Sequence, residues 1–457
     1  MSFDALFFIS CFLPVTAALY ALIPGIQGKN SLLLIAGLVF YCFGSLQGLL
    51  ILLLVSLGNY LMGLAIRRKP TAKVWLVLAV AANLALLGFY KYLDFLLGGV
   101  LGLPQLQLGL AAPMGISFFT FKSISYLVDA KRNPEEIAGG FLDFLLYISF
   151  FPQITAGPIV RFGDFRRQLT QRTGGTFAPG LRRFVVGLGK KILLAGGLAK
   201  IVDAVFTLDA AGLDIRLAWL GAVGYLLQIY FDFSGYSDMA IGLGQMFGFQ
   251  TAENFRYPYI AASITDFWRR WHISLSAWFR DYVYIPLGGS RRGKARTAWN
   301  KLAVFLLCGL WHGAAWTFLL WGVWHGLLSA MESLGWLNPK KWPKALGHIY
   351  TLLAVCLGFV VFRAESAAQG LAVIGAMFAG FSFTASGTVV LYGLLTWENL
   401  WILLGSAALC LPWRVWIGKR EWKWMEPAAY LLCTVLFALC LVKLAAGGFA
   451  PFIYAQF

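Results

Sequence analysis

Apolar runs recur along the entire chain, separated by short polar stretches that hold most of the lysine and arginine residues. A helix needs about 20 predominantly apolar residues to cross the hydrocarbon core of a membrane. The pattern therefore predicts an all-α fold, a polytopic integral membrane helical bundle of about 11 spans. The candidate runs are 5–24, 31–45, 48–66, 74–97, 113–128, 141–158, 181–206, 217–233, 236–249, 301–313, 315–331, 346–362, 367–381, 398–412 and 427–447. Several are too short for a full crossing, and we interpret these as re-entrant segments, tilted helices or interfacial helices.

The run 141–158 breaks the alternation of sides that successive crossings would produce. Lys131 precedes it and Arg161 follows it, so both flanks carry the positive charge typical of cytoplasmic loops. Pro152 and Pro158 supply helix breaks. We therefore predict a segment that enters the membrane and returns to the same side. Such irregular backbone must be buried by protein or water, which is typical of a segment that lines a cavity.

The lysine and arginine residues of the short loops predict the orientation of the chain. Basic clusters place the loops at 67–73 and 414–423 on the cytoplasmic side. Both termini then lie outside, and 448–457 forms an extracytoplasmic C-terminal tail. The N-terminus, MSFDALFF, lacks the basic stretch of a cleaved signal peptide, so we expect the first apolar run to be retained as a span.

The composition agrees with a single membrane domain over residues 1–457. Of these residues 60% are hydrophobic and only 12% are charged, whereas about a quarter of a soluble domain is charged. The net charge is +17, but the basic residues form clusters between apolar runs, so we predict contact with membrane lipid and no nucleic-acid partner. The seven cysteines contain no C-x-x-C pair and are interpreted as apolar filler, with no metal site.

Residues 250–300 differ from the rest because basic and aromatic residues alternate along them. Tryptophans recur at helical spacing, which predicts amphipathic helices lying in the cytoplasmic interface. This amphipathic segment either holds the bundle to anionic lipid or binds a phosphorylated donor such as an acyl-CoA. The second alternative is supported by the suitability of arginine for bidentate phosphate contacts. Its candidate residues are Arg269, Arg270, Arg280 and Trp271.

The four histidines are not equivalent. His312 lies inside an apolar run, where ionisable side chains are costly and commonly functional. A neutral imidazole there can accept the proton that a hydroxyl loses as it attacks a thioester, so His312 is a candidate general base. We interpret His325 as structural or interfacial because it lies nearer a helix end. His348 follows a basic loop and is interpreted as a surface residue.

The strings around His312 and His325 are 13 residues apart. On one continuous helix the two side chains would point about 140° apart, so we expect that they do not both line one passage. The sequence has no convincing internal repeat, although many transporters are built from repeats.

Five strings of the chain resemble those of membrane-bound O-acyltransferases. They are PMGISFFTFKSISYLVD, FFPQITAGPIVRF, QIYFDFSGYSDMAIGLGQMFGF, ENFRYPYIAASITDFWRRWHISLSAWFRDYVYIPLGG and LLCGLWHGAAWTFLLWGVWHG. The similarity is to the branch of the bacterial alginate O-acetyltransferase membrane subunit and its peptidoglycan and cellulose relatives. It covers roughly residues 110–330 and the C-terminus. The joint occurrence of the strings is specific, whereas a single WHG is not.

The resemblance implies the MBOAT fold and an acyl tunnel entered from the cytoplasm. It implies that His312 is the invariant membrane histidine, acting as the base, and that His272 is the second catalytic residue. It also implies acetyl-CoA as the donor substrate, with no bound cofactor. Five further residues match a family string, with helix–helix hydrogen bonding as the alternative role; they are Asp232, Ser234, Tyr236, Ser237 and Asp238.

The resemblance extends to the last six residues, FIYAQF, and suggests that Tyr454 is an acyl carrier. An extended chain from Gly448 to Tyr454 reaches about 20 Å, which exceeds the half-thickness of about 15 Å of the hydrocarbon core. Tyr454 can therefore fold back to a histidine at the midplane. The alternative role is an aromatic anchor at the membrane interface.

The leading hypothesis is an O-acyltransferase of the bacterial inner (cytoplasmic) membrane that serves the O-acetylation of an extracytoplasmic polysaccharide. The alternatives are a transporter or flippase of an envelope precursor, and a structural scaffold. The chain has little mass outside the membrane, so we predict a separate extracytoplasmic acyltransferase of the serine type as partner. The acceptor, of the alginate, peptidoglycan or cellulose type, is not specified by the sequence.

Overall fold

The computed structural model describes residues 1–69, 71–172, 174, 176–209, 212–417, 425–447 and 453. Helices dominate these residues and no β-strand occurs among them, which confirms the all-α class. The chain divides into two compact units. Unit 1 consists of Met1–Val185 and Tyr236–Glu253, and unit 2 consists of Val186–Gly235 and Asn254–Phe457. The single domain over 1–457 stays a prediction.

Unit 1 is held together by aromatic side chains of its short and medium helices. The rings of Phe8, Phe40 and Phe151 lie 5.9 to 6.4 Å apart and are fully buried. Aromatic pairs at this spacing add to the free energy of burying each ring. The helices are α1 Leu13–Leu22, α2 Ile26–Cys42, α3 Leu46–Arg68, α4 Lys73–Lys91, α5 Ile116–Arg132, α6 Phe141–Ser149 and α7 Phe162–Thr170.

The segment predicted to be re-entrant is short and enclosed. Helix α6 has nine residues, a length of about 14 Å, and a 3-10 turn over Phe151–Gln153 follows it. Residues 144–154 are all buried. A helix of this length cannot cross a hydrocarbon core of about 30 Å, and its irregular continuation is buried by protein, as such backbone requires.

Two long helical runs contribute residues to both units. Helix α8 Phe177–Gly189 continues through a π-helical stretch, Lys190–Ala195, into α9 Gly196–Phe206. Helix α10 Ile215–Met246 has 32 residues, a length of about 48 Å. The remaining helices belong to unit 2; they are α11 Ile264–Phe267, α12 Ile273–Phe279, α13 Gly293–His312, α14 Trp316–Leu334, α15 Lys344–Arg363, α16 Ala367–Ala379, α17 Ala385–Leu394, α18 Trp397–Leu409, α19 Trp413–Ile417 and α20 Met425–Ala445.

Helices α13 and α14 form a tightly packed hairpin. A Cβ atom on Gly309 would lie 2.3 Å from the backbone oxygen of Phe318, so only glycine permits this approach. Helix α13 stops at His312 because Gly313 is extended, and the ring of Phe318 fills the space where a Cβ of Gly313 would lie. His312 and His325 therefore lie on separate helices, as the runs 301–313 and 315–331 predicted, and the angle of about 140° expected for one continuous helix does not apply.

Four helices in the described part of the chain are long and apolar enough to cross a membrane. They are α3, α4, α15 and residues Glu426–Ala445 of α20. A fifth crossing results if α17 and α18, which meet at a 70° bend, are counted as one broken span. The predicted total of about 11 spans is not confirmed.

Candidate active site

His312 lies in the interior of unit 2, where its side chain is 3% exposed. Three aromatic rings surround the imidazole edge-on, and we call them the aromatic cage. They are Trp311, Trp321 and Phe362, at ring-centroid distances of 5.0, 5.1 and 5.2 Å. The end of α13 and the hairpin with α14 determine this position, because Trp321 is carried by α14 and folds back onto α13.

His272 is buried at the N-terminus of α12, with its backbone in the left-handed region at φ 44°. For a residue other than glycine this conformation is strained, and such strain is concentrated at functional sites. The side chain of Asn254 offsets the strain, because its Oδ1 accepts from the backbone N–H of Ser274 at 3.1 Å and from the Ser274 hydroxyl at 3.0 Å. The same Oδ1 lies 3.3 Å from His272 Nδ1.

The contact with Asn254 determines which nitrogen of His272 carries the proton. An amide oxygen can only accept, so Nδ1 is the donor and Nε2 carries the lone pair. Burial lowers the pKa of His272 to about 3. The imidazole is therefore neutral at physiological pH, with Nε2 able to accept a hydrogen bond or a proton.

Two tryptophans connect the histidines within unit 2. The ring of Trp311 lies 6.2 Å from that of His272 and 5.0 Å from that of His312. The ring of Trp321 lies 5.1 Å from both His312 and His325. The structure thus brings His272 and His312 next to the same indole ring, that of Trp311.

His325 lies in the middle of α14 and is fully buried. The interfacial interpretation is wrong, because α14 continues to Leu334 and protein surrounds the ring. His348 is half-buried rather than on the surface, and its Nδ1 donates to the backbone oxygen of Ala261 at 3.1 Å. The main-chain contact gives His348 a structural role, and the packing of His325 against Trp268 gives it a structural role as well.

A cavity of about 450 Å³ lies between the amphipathic segment and helices α13 and α14. Three cationic residues line it, Arg269, Arg280 and Lys301, and none of its described lining residues is acidic. It extends to Cys308, which is four residues before His312 and hence on the same face of α13. We call this space the basic cavity. Its volume is in the range of ligand pockets, and its cations are suited to phosphate groups.

Glu332 on α14 fixes the wall of the basic cavity. Its carboxylate accepts from the backbone N–H groups of Ile264 and Thr265 at 2.8 and 3.0 Å, and from the Thr265 hydroxyl at 2.6 Å. The two N–H groups have no acceptor within the four-residue helix α11, so Glu332 supplies one. The contact positions the turn that carries Arg269.

Two of the predicted donor-binding residues are not among those that line the basic cavity. Arg270 forms an ion pair with Asp266 at 3.0 Å. Trp271 is buried and stacks on Phe267 at 5.6 Å, in the aromatic core of unit 2. Their contact with a donor stays a prediction, as do the predicted roles of Arg269 and Arg280.

Tyr454 lies outside the described residues, but Ile453 next to it is described. The backbone N–H of Ile453 donates to Oδ2 of Asp232 at 2.9 Å, and Oδ1 of Asp232 accepts from Lys191 Nζ at 2.8 Å. Sequence reasoning noted Asp232 in a family string but missed this partnership with Lys191. A lysine in one apolar run, 181–206, and an aspartate in another, 217–233, are charges of opposite sign that could have been predicted to pair.

The described residues contain no group of three or more histidine, cysteine or acidic side chains that could hold a metal ion. The site brings together two imidazoles, a set of indoles and a group of cations. An imidazole base beside a cationic cavity is suited to proton transfer on a substrate that carries phosphates.

Comparison with known proteins gives a family and several relatives. The model of the membrane-bound O-acyltransferase family, MBOAT, matches residues 46–335. The probable alginate O-acetylase AlgI of Pseudomonas putida is 39% identical over 495 aligned residues, which cover 100% of both chains. The peptidoglycan O-acetyltransferase of Helicobacter pylori is 37% identical over 82% of this chain and 79% of its own.

A more distant relative is the teichoic acid D-alanyltransferase of Bacillus subtilis, 29% identical over 55% of this chain and 69% of its own. The family match contains His272, His312 and every lining residue of the basic cavity. With more than half of its length matched, and a relative aligned over its whole length, the chain belongs to the membrane-bound O-acyltransferase family.

Proposed function

We propose that this O-acyltransferase takes an acetyl group from cytoplasmic acetyl-CoA and passes it across the bacterial inner membrane for the O-acetylation of an extracytoplasmic polysaccharide. The observation that carries the proposal is that Cys308, one helical turn before His312, is among the residues that line the basic cavity. The names of the relatives, alginate O-acetylase and peptidoglycan O-acetyltransferase, support an acetyl group and a polysaccharide acceptor. Family membership favours acyl transfer over transport of an envelope precursor.

The donor would bind with its phosphates near Arg269 and Arg280 and its thioester toward His312. Cys308 and His312 are separated by about 6 Å along the axis of α13, so a pantetheine arm in the basic cavity has a short distance to cover. An acetyl-CoA bound in this way is a substrate, and the chain itself holds no cofactor in this scheme.

The reaction follows from the two imidazoles. An acceptor hydroxyl attacks the thioester carbonyl carbon, the new C–O bond forms, and the C–S bond breaks to release the CoA thiolate. His312 takes the proton of the hydroxyl and returns it to the thiolate. Neutral His272, whose Nε2 carries the lone pair, orients the hydroxyl or shares its proton. A positioned base of this kind accelerates proton transfer roughly 10² to 10⁴-fold.

The first acceptor in this proposal is the hydroxyl of Tyr454. The acyl-Tyr would then pass its group to a separate extracytoplasmic acyltransferase of the serine type, which acetylates the polymer. The proposal is supported by the hydrogen bond that the backbone N–H of Ile453, the residue directly before Tyr454, donates to buried Asp232.

The decisive experiment measures transfer of radiolabelled acetyl from acetyl-CoA in membrane vesicles that contain the chain. His312→Gln keeps the size of the side chain and removes the base, so we expect transfer to fall roughly 10² to 10⁴-fold. The matched control is His348→Gln, which should retain activity within about twofold because the His348 ring serves only a main-chain hydrogen bond. Equal activity of the two variants would refute the proposal.

A second arm of this experiment tests the carrier. Tyr454→Phe keeps the ring and removes the hydroxyl, so label should no longer accumulate on the chain or reach the polymer. Full polymer acetylation by this variant would exclude the Tyr454 intermediate and leave His312 as a base for a different hydroxyl.

A further inference from the structure

A buried ion pair of unit 2 lies on helical segments that carry neither His272 nor His312. Lys191 belongs to the π-helical stretch after α8, and Asp232 belongs to α10. Nζ of Lys191 and Oδ1 of Asp232 are 2.8 Å apart, and the two side chains are 2% and 6% exposed. Removal of two charges from water costs several kcal/mol per ion, and charged groups within apolar helices are commonly functional.

The two oxygens of the Asp232 carboxylate contact different parts of the chain. Oδ1 accepts from Lys191, whereas Oδ2 accepts from the backbone N–H of Ile453, 221 positions away in sequence, at 2.9 Å. A hydrogen bond to an ionised carboxylate is shorter and stronger than one between neutral groups. Because the donor is a main-chain N–H, this hydrogen bond does not depend on which side chain stands at position 453.

The pair lies next to the candidate active site. Phe233 directly follows Asp232, and its ring lies edge-on to that of His272 at 4.6 Å. Ile453 is in turn followed directly by Tyr454. Asp232 therefore holds the tail one residue before Tyr454 and stands one residue away from a contact of His272.

We infer that the Asp232–Lys191 pair is a socket that holds the C-terminal segment through the backbone N–H of Ile453. Lys191 orients the carboxylate of Asp232, and Asp232 accepts the hydrogen bond from Ile453. Both are positioning residues for the tail. The consequence for acyl transfer rests on the function proposed above, whereas the seating itself does not.

The sharpest test removes the donor and leaves the socket intact. Ile453→Pro has no backbone N–H, whereas the control Ile453→Val keeps it with a similar side chain. The measurement is hydrogen–deuterium exchange of the C-terminal peptide in the full-length protein. We expect its amides to exchange roughly tenfold to hundredfold faster in Ile453→Pro than in the wild type or Ile453→Val. Equal exchange in Ile453→Pro and Ile453→Val would overturn the inference.

A second test removes the two charges of the socket and leaves Ile453 unchanged. Asp232→Leu combined with Lys191→Met replaces both charges by apolar groups of similar size, and such replacements leave many proteins folded. The matched control is Asp214→Asn, a buried aspartate at the start of α10 that pairs with Arg216. We expect fast exchange of the tail in the double variant alone, and slow exchange in the folded double variant would overturn the inference.

Acetyl transfer by the same variants separates this inference from the proposed function. Loss of transfer in Ile453→Pro, with unchanged binding of acetyl-CoA, supports a socket that positions the tail for the reaction. A released tail with unchanged transfer supports the socket and excludes the tail from the reaction. A merely structural ion pair would leave the exchange of the tail unchanged in Ile453→Pro, which would overturn the socket.

Discussion

At the scale of single residues, the two catalytic candidates are held in different ways. His312 is positioned by the aromatic cage, whose three rings lie edge-on to the imidazole. His272 is held at Nδ1 by Asn254, which leaves the lone pair on Nε2. Burial lowers the pKa of His272 to about 3, so that protonation of this ring does not limit activity near neutral pH.

This difference makes the effect of Asn254→Asp predictable. A carboxylate beside Nδ1 stabilises the imidazolium, so the pKa of His272 rises by about 1 to 3 units and the neutral form is lost at higher pH than in the wild type. We expect the acid limb of the pH–activity profile to move to higher pH by about one unit or more. The measurement is acetyl transfer between pH 4 and 8.

The control for this prediction adds the same charge elsewhere in unit 2. Asn399 lies in the first turn of α18, where an acidic residue is compatible with the helix dipole. Asn399→Asp should leave the pH profile unchanged. An unshifted profile for Asn254→Asp as well would mean that His272 does not act in its neutral form.

At the scale of elements, the hairpin of α13 and α14 creates the site. The close approach at Gly309 brings Trp321 over His312, and it also forms the inner wall of the basic cavity at Cys308 and Phe305. The break after His312 turns α14 back, so that the strings around His312 and His325 meet at the ring of Trp321. On one continuous helix the side chains of His312 and His325 would point about 140° apart.

The close approach predicts a steep response to Gly309→Ala. The added Cβ would lie 2.3 Å from a backbone oxygen, which cannot move independently of α14. We expect the free energy of unfolding to fall by about 1–3 kcal/mol and the activity to fall with it, because the cage would be displaced. The measurement is the thermal midpoint in detergent together with acetyl transfer.

The matched control for this substitution is Gly405→Ala on α18, where nothing lies within 4 Å of the added Cβ. In a helix this change should be neutral or stabilising by up to about 1 kcal/mol. Equal losses in the two variants would show that α13 and α14 are not held by the space at Gly309.

At the scale of the whole molecule, the net charge of +17 is distributed over the loops, yet only part of it lines the basic cavity. Arg269 and Arg280 line this cavity, whereas Arg291 and Arg292 are exposed residues of the same amphipathic segment outside it. An attachment to anionic lipid would use all four in a similar way. A binding site for the donor would use only Arg269 and Arg280.

This contrast separates the two hypotheses for the amphipathic segment. Replacing Arg269 and Arg280 by alanine should raise KM for acetyl-CoA by roughly tenfold or more, because each charge-assisted contact to phosphate contributes about 1.5–3 kcal/mol. Replacing Arg291 and Arg292 should change KM by less than about twofold. The assay is steady-state acetyl transfer with varied donor, and equal effects of the two pairs would favour the lipid hypothesis.

The sequence alone determined the properties that depend on residue type and near neighbours. The apolar runs determined the all-α membrane class, and the position of His312 in an apolar run marked it as a candidate. The breaks at Pro152 and Pro158 predicted a re-entrant segment over 141–158, where the structure has the short buried helix α6. These conclusions were reachable because hydrophobicity, charge and helix breaking act over a few residues. Helical periodicity also grouped Trp271 with its neighbours, but it did not determine which of them would face a ligand.

The tertiary structure determined which residues from distant segments contact one another. The ring of Phe318 ends α13 at Gly313, Asn254 sets the tautomer of His272, and Asp232 receives the chain at Ile453. None of these follows from local propensity, because each needs a partner brought into contact by packing of whole helices. The number of crossings belongs to the same class, since the bends that divide the apolar runs are set by the helices around them.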